Sequence, residues 1–310
     1  MDLALKVDVD TLRGTREGVP ALAALLKRQG AGATFLFSLG PDHTGRAVRR
    51  ALRPGFVQKV QRTSVVKHYG VRTLMYGTLL PGPDIGRRTA DVMRRVHGEG
   101  FETGIHCWDH VRWQDGVAQA DAQWTAHEMQ RACERYAEIF KEPSRTHGAA
   151  GWQMNVHALR LTQTLGFDYC SDGRGSVPHL PVWNAELIRC PQLPTTLPTL
   201  DEIIGLDGVD EANAAAAVLA LTADAPASPH VFTLHAELEG MRLLPTFEAL
   251  IAGWRAQGYR LVSTRTVFEA LHTATLPRCE VAPGEVRGRS GTLLVQGPEF
   301  LGDVDPAWAA

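Results

Sequence analysis

The stretch Leu5-Lys6-Val7-Asp8-Val9-Asp10-Thr11 decides the fold class, because it places two carboxylates at the end of a predicted first strand. Its alternating and β-branched apolar residues are typical of a strand. A loop that carries glycines and arginines, residues 12–18, follows it. Asp8 and Asp10 are two positions apart, so on an ideal strand both side chains lie on one face. Acids at the carboxyl end of a first strand are typical of an α/β active site.

Three interpretations of this opening are compatible with the stretch alone. A phosphatase of the haloacid dehalogenase type begins in the same way and uses the first acid, Asp8, as nucleophile and the second, Asp10, as acid. A metal-dependent amidase uses the first acid as a base and the second as a metal ligand. The third interpretation is structural, with two solvated acids in a β-to-α turn and the second one capping a helix.

The composition is that of an ordinary soluble globular protein. The 310 residues are 44% hydrophobic and 21% charged, with a formal net charge of -2, which gives no indication of nucleic-acid binding. We expect no secretory signal and no membrane span, and therefore a place in the cytoplasm or on the cytoplasmic side of the inner membrane. The five cysteines are scattered and form no C-x-x-C pair, so we expect reduced thiols.

Strand and helix patterns alternate along most of the chain. A strand, a helix and a second strand at residues 33–39 form a first βαβ unit. About seven such units follow from the whole pattern, which predicts an α/β fold of the distorted (β/α)7 barrel type. We expect one domain over residues 1–275. The remaining residues 276–310 are rich in Gly and Pro, which favours a weakly ordered C-terminal tail.

Residues 41–90 interrupt the alternation and are strongly basic. They contain ten Lys and Arg residues and only two acids, Asp42 and Asp84. We predict a basic helical insertion after the second strand. One interpretation is a solvated helical face. The other is a lid or platform that meets an anionic, partly apolar partner, such as a membrane surface or a lipid phosphate.

His106 and His110 form the second informative pattern, His-x-x-x-His. Residues four apart lie on one face of a helical turn, so both imidazoles are predicted to reach one metal ion. A zinc protease motif requires Glu directly after the first His, and this chain has Cys107 there. A chance pairing among 12 histidines is the alternative.

His235 ends the predicted strand at residues 230–234. With Asp8, Asp10 and His106 it brings titratable groups from three strand ends to one edge, which favours an active site over a structural histidine. Asp10, His106 and His110 then form a site for one divalent ion, Zn, Mn, Co or Fe. Asp8 is placed to take a proton from water and His235 to give one to an amine. A phosphatase mechanism would give no role to His106, His110 and His235.

These motifs resemble a known family. Asp8-Val9-Asp10, His106-x-x-x-His110 and Leu234-His235 are similar to the first, second and last motifs of the NodB-type polysaccharide deacetylases. The resemblance implies a metal-dependent distorted β/α barrel. Longer strings resemble the deformylases of this family that act on 4-deoxy-4-formamido-L-arabinose-phosphoundecaprenol, and the similarity covers about residues 3–272. The strings are residues 8–20, 37–42, 107–110, 113–114, 149–152, 171–175, 197–205 and 233–240.

The resemblance implies a role for each matched residue. Asp8 is the base, His235 is the acid, and Asp10, His106 and His110 are the ligands. The resemblance also implies that the substrate is a formamido sugar on a polyprenyl phosphate at the membrane surface. It further implies that formate is released and that the free amino sugar serves lipid A modification and resistance to polymyxin. A carbohydrate N-deacetylase acting on another substrate is the alternative.

The sequence also departs from the family pattern. Val9 separates acids that are usually adjacent, Cys107 replaces Ser or Thr, and the third motif is weak. The partner that orients Asp8 is therefore open, with Arg145, Asp172 and Arg174 as candidates. The candidates for supporting or substrate-binding roles are Arg145, Asp172, Arg174, Trp113 and the loop arginines Arg13 and Arg16, which we expect near the substrate phosphate. Solvated loop arginines are the alternative for the last two.

Overall fold

The computed structural model describes residues 1–47 and 70–302. The middle of the predicted basic insertion, residues 48–69, lies outside the described residues, so the insertion stays a prediction there. Among the residues described, no helix combines the length and the apolar character that a membrane crossing requires.

A seven-stranded parallel sheet forms the centre of the fold. The strands are β1 Asp2–Val9, β2 Thr34–Ser38, β3 Glu102–Cys107, β4 Thr146–His147, β5 Tyr169–Cys170, β8 His230–His235 and β9 Arg260–Val262. Their order in the sheet is β5-β4-β3-β2-β1-β8, and β9 also pairs with β1. The prediction of an α/β fold built on parallel strands is confirmed.

Helices connect the strands and cover the sheet. In chain order they are α1 Val19–Arg28, α2 Val71–Met75, α3 Ile85–Gly98, α4 His110–Gly116, α5 Ala122–Phe140, α6 Val156–Thr164, α7 Leu200–Ile203, α8 Ala214–Leu221, α9 Leu244–Ala256 and α10 Thr264–Glu269. The side chain of Asp109 accepts a hydrogen bond from the Arg112 amide and fixes the start of α4. This cap determines where His110 leaves the turn after β3.

The core lies between the sheet and its helices. Both faces of β1 are covered, so its residues from Leu3 to Val9 are buried without a polar side. Leu5, Val7 and Phe35 belong to the main apolar cluster. The same strand carries Lys6 and Asp8 into the interior, and an ion pair in such a strand requires a partner at close range.

The C-terminal segment corrects one prediction. Residues 276–302 are not weakly ordered, because β10 Arg278–Glu285 and β11 Thr292–Glu299 form an antiparallel hairpin. The hairpin joins a second sheet with β6 Leu180–Trp183 and β7 Glu186–Leu187. Its Gly and Pro residues suggested disorder, but the alternation of buried Cys279 and Val281 is a strand pattern. Residues 303–310 lie outside the described part of the chain.

Candidate metal centre and active site

The carboxyl ends of three parallel strands meet at one edge of the central sheet. Asp8 lies near the end of β1 and Asp10 follows the strand directly. His106 lies near the end of β3, and His235 is the last residue of β8, in register with Asp8. The structure therefore brings together the acids and histidines that the sequence placed at strand ends.

Asp10, His106 and His110 surround one point. The Nε2 atoms of His106 and His110 lie 3.3 and 3.4 Å from Oδ1 of Asp10. All three ligand atoms lie within 4.8 Å of one another. The predicted helical turn is wrong, because His106 belongs to β3 and His110 begins α4. The corner between strand and helix brings the two rings together, with their centroids 5.3 Å apart.

The donor set fits a divalent cation. Nδ1 of His106 lies 2.7 Å from the Gly148 carbonyl oxygen, which can only accept, so Nδ1 carries the ring proton. In the neutral ring Nε2 then directs a lone pair toward Asp10. Oδ1 of Asp10 is buried and, within the described residues, has no hydrogen-bond partner. A cation at this point satisfies two nitrogen lone pairs and a carboxylate at once.

The electrostatics of the site keep Asp10 ionised. Burial acts to raise the pKa of Asp10, but when the rings of His110 and His106 are protonated their positive charge outweighs this effect and holds the pKa well below the usual value of an aspartic acid. Asp10 is therefore readily ionised.

Lys6 is the partner of Asp8, and sequence reasoning missed it. Its Nζ lies 3.2 Å from Oδ2 of Asp8, and the whole Lys6 side chain is buried. The sequence did contain a signal for this pair. A lysine two residues before an acid lies on the same strand face, and a lysine in a buried strand requires an anion as its partner. Oδ1 of Asp8 lies 3.8 Å from Nδ1 of His106 and remains available on the side of the metal centre.

The arginine candidates for the partner of Asp8 lie elsewhere. Arg145 is 60% exposed at the start of β4 and pairs with Asp168 at 3.7 Å. Arg174 is buried, and its Nη1 donates to Oε1 of Glu202 at 2.6 Å. Each arginine thus pairs with another acid, and Lys6 occupies the position beside Asp8 that we expected one of them to fill.

Asp172 and Trp113 support the fold around the site. Oδ1 of Asp172 accepts from the Ala149 amide and lies 2.6 Å from Nδ1 of His147. Trp113 is buried, and its Nε1 donates to the carbonyl oxygen of Gln153. Both side chains hold loops at the carboxyl edge of the sheet, so their role is indirect.

Glu237 fixes the main chain at Asp10. Its Oε1 accepts from the amides of Asp10 and Thr11 at 3.1 and 2.9 Å, and from the Thr11 hydroxyl at 2.8 Å. Burial raises the pKa of Glu237 well above its usual value. A Cβ on Gly14 would overlap Oε1 of Glu237, so this glycine permits the close approach of the loop.

His235 ends β8 directly beside Asp8 on β1. Its amide donates to Oε2 of Glu239 at 2.7 Å, and its Nδ1 lies 3.9 Å from Oδ1 of Asp201. The edge of the His235 ring faces Trp152, with centroids 6.4 Å apart. Trp152 has a φ of +53°, which is uncommon outside glycine, and the preceding Gly151 has +61°.

Arg16 lies on the short helical turn Gly14–Gly18, and Arg13 lies directly before this turn. Both follow shortly after the acid-bearing strand. Nε of Arg13 donates to Oε2 of Glu17 at 3.0 Å. Arg16 is exposed. Both cations lie at the rim rather than within the group of metal ligands.

No protein-family model matches the chain. Among curated proteins, it is 35% identical over 296 residues to a Shewanella sediminis protein named 4-deoxy-4-formamido-L-arabinose-phosphoundecaprenol deformylase ArnD, covering 95% of this chain and 94% of that one. A Wigglesworthia glossinidia brevipalpis protein of the same name is 31% identical over 239 residues, covering 77% of this chain and 82% of that one.

Solved structures share the fold at low sequence identity. A polysaccharide deacetylase structure from Mycobacterium smegmatis matches with a TM-score of 0.61 at 15% identity, covering 92% of this chain and 96% of that one. One from Pseudomonas aeruginosa matches with a TM-score of 0.58 at 14% identity, covering 86% and 89%. With relatives of 35% and 31% identity that cover 95% and 77% of its length, the chain belongs to the ArnD deformylase family.

Proposed function

We propose that this protein is a metal-dependent amide hydrolase that removes formate from 4-deoxy-4-formamido-L-arabinose-phosphoundecaprenol. The observation that carries the proposal is that the Asp10, His106 and His110 group lies at the same edge of the sheet as a buried acid, Asp8, and a buried histidine, His235. An N₂O donor set of this kind suits Zn²⁺, Mn²⁺, Co²⁺ or Fe²⁺.

Asp10, His106 and His110 would hold the ion. When bound, a divalent ion polarises the amide carbonyl and makes water easier to deprotonate. Asp8 takes the proton of the attacking water through Oδ1, because Oδ2 is engaged by Lys6. The bond from Lys6 to Oδ2 also fixes the orientation of the Asp8 carboxylate.

His235 supplies the second proton transfer of the reaction. The oxygen of water bonds to the formyl carbon, the carbon–nitrogen bond breaks, and the departing nitrogen takes a proton from the His235 ring. Oδ1 of Asp201 lies 3.9 Å from Nδ1 of this ring. The products are formate and a free amino sugar, the form that lipid A modification consumes in polymyxin resistance.

The lipid part of the substrate is proposed to bind along α2 and the loop after it. Leu79 is 80% exposed and Val71 66% exposed, which is unusual for large apolar side chains. Arg72 is exposed beside them. A Cβ on Gly70 would lie 2.9 Å from Nη1 of Arg13, so this segment adjoins the loop arginines.

His43 connects this segment to the metal centre, because a Cβ on Gly77 in the loop after α2 would lie 2.7 Å from Cδ2 of His43. Its Nδ1 lies 2.6 Å from Oδ2 of Asp109, the residue before His110. We propose that exposed apolar residues meet the acyl region while the rim arginines bind the phosphate, in a peripheral complex on the cytoplasmic face of the inner membrane.

Formate release tests the chemistry. The purified protein, loaded with Zn²⁺, Mn²⁺ or Co²⁺, is given the formamido substrate and its acetamido analogue, and formate and acetate are measured. We expect formate, and no turnover by Asp8→Asn or His235→Asn. Acetate as the main product would support the N-deacetylase alternative. Full activity in the presence of a chelator would contradict the metal-dependent mechanism.

Vesicle flotation tests the membrane complex. We expect binding to vesicles that contain anionic lipid and weaker binding by the Val71→Ser/Leu79→Ser variant. Leu221→Ser is the matched control, since Leu221 is also an exposed leucine, 56% accessible, but lies on α8. Equal binding by all three proteins would contradict the assignment of this surface.

A further inference from the structure

The C-terminal hairpin is hydrogen-bonded directly to the loop that carries Arg174. The amide of Arg174 donates to the Leu294 carbonyl, and the Gln296 amide donates to the Arg174 carbonyl. At the turn of the hairpin, a Cβ on Gly288 would overlap the carbonyl oxygen of Glu202 on α7. The turn therefore packs against α7 with no room for a side chain at this position.

Arg289 projects from this turn into the group around His235. Its Nε donates to Oε1 of Glu202 at 2.8 Å, and its Nη1 lies 3.7 Å from Oδ2 of Asp201. Its guanidinium carbon lies 4.4 Å from the centre of the Trp152 ring. The side chain is 13% exposed. One planar cation thus stacks on an aromatic face and reaches two carboxylates, which a lysine cannot do.

The two oxygens of Asp201 have different partners. Oδ1 accepts from the Thr199 hydroxyl at 2.6 Å and faces Nδ1 of His235 at 3.9 Å. Oδ2 faces Arg289. A cation on Oδ2 and a hydroxyl on Oδ1 together restrict rotation of the carboxylate, so Oδ1 stays directed at the imidazole.

We propose that Arg289 is a positioning residue of the active site, which acts by holding Asp201 toward His235. The inference rests on the proposed amide hydrolysis, in which His235 supplies the proton to the departing nitrogen. It gives the C-terminal hairpin a role in turnover in addition to its packing role.

Arg287 provides a matched control. It lies two residues before Arg289 at the same turn, is 76% exposed, and pairs with the exposed Asp207. Arg287→Gln and Arg289→Gln therefore remove the same charge from the same turn, but only the second removes it from Asp201. Arg289→Lys keeps the charge and loses the planar stack on Trp152.

Turnover, metal content and thermal unfolding are measured for all variants. For Arg289→Gln we expect a fall in kcat of about 10- to 100-fold with KM changed less than about 3-fold, because the proton donor is misplaced while binding groups remain. Arg289→Lys recovers only part of the loss, and Arg287→Gln keeps the kcat of the wild type. Added guanidinium partly restores Arg289→Ala. Combining Arg289→Gln with Asp201→Asn costs little more than the larger single effect, because both act through one contact.

A measurement without substrate separates this inference from the proposed function. The ¹⁵N signals of the His235 ring are compared in metal-loaded wild type, Arg289→Gln and Arg287→Gln. We expect them to move in Arg289→Gln alone. A wild type that releases no formate overturns the proposed function even if the His235 signals respond. A wild type that releases formate, with Arg289→Gln matching it in kcat and in the His235 signals, overturns the role of Arg289. A loss of kcat that only follows a loss of folded protein also overturns it.

Discussion

Nζ of Lys6 lies 3.2 Å from Oδ2 of Asp8 within the interior of the first strand, and both side chains are buried. Burying a single charge costs free energy, whereas two opposite charges at this distance offset each other's cost of burial. Lys6→Met is therefore expected to destabilise the protein by about 3–5 kcal/mol and to lower kcat by about 100-fold or more. Denaturant unfolding and formate release measure the two effects, with the exposed Lys27→Met as control.

A double variant distinguishes a charge effect from a packing effect. Lys6→Met combined with Asp8→Asn removes both charges, so we expect it to regain much of the lost stability while staying inactive. If Lys6→Met were as stable and as active as Lys27→Met, the pairing would have no role.

Loss of either imidazole is expected to release the metal ion. His106→Ala and His110→Ala each remove one of three ligand atoms, so we expect metal affinity to fall by more than about 100-fold, beyond the 10- to 100-fold typical of outer partners. Metal analysis after dialysis and formate release report the result. The exposed His127→Ala serves as control. Metal retained at full stoichiometry in both variants would show that the ion is held elsewhere.

Gly14 is expected to control the metal site through Glu237. An alanine here would displace the carboxylate that accepts from the amides of Asp10 and Thr11. We expect Gly14→Ala to weaken metal binding by about 10- to 100-fold, as for other outer partners. Gly98→Ala is the control, because a Cβ there meets nothing within 4 Å. Equal affinity in the two variants would contradict the argument.

Glu239 is expected to make stability depend on pH. Burial raises the pKa of Glu239 to about 8, compared with 4.5 for a free side chain. Below pH 4.5 both folded and unfolded states hold the proton, and between 4.5 and 8 only the folded state does. This contribution to stability is therefore lost as pH rises, by about 1.4 kcal/mol for each pH unit in that range.

Glu239→Gln removes the titration while it keeps an oxygen for the His235 amide. We expect its stability relative to wild type to increase from pH 5 to pH 8 in denaturant unfolding. Glu248→Gln, at a half-exposed position on α9, is expected to show no such trend. A difference between Glu239→Gln and wild type that is constant with pH would be evidence against a raised pKa.

The sequence predicts the parallel strands and the acids and histidines at their ends because these depend on local patterns. Period-two and buried-strand patterns place Asp8, Asp10 and His235, and parallel strands share one carboxyl edge. The prediction that His106 and His110 share one helical turn was wrong, because the Asp109 cap starts α4 only after the strand has ended. Two side chains four residues apart can meet on one helical turn, and they can equally meet at a corner between a strand and a helix.

Partners from distant parts of the chain could not be predicted. Asp201 and Arg289 reach the site only through α7 and the hairpin, whose positions follow from tertiary packing. The hairpin itself was missed because its Gly and Pro content outweighed a short alternation of apolar residues. Lys6 is different, since its burial in an apolar strand was visible in the sequence and indicated a paired charge.

The position of β1 has a consequence for synthesis on the ribosome. This strand is made long before β8, yet it pairs with β8 along six residues, from Leu3 opposite His230 to Asp8 opposite His235. One of its edges therefore stays unpaired until β8 has emerged, and such late, distant pairing slows folding. An apolar strand left open in this way attracts other strands, so we expect nascent chains of this enzyme to depend on chaperones.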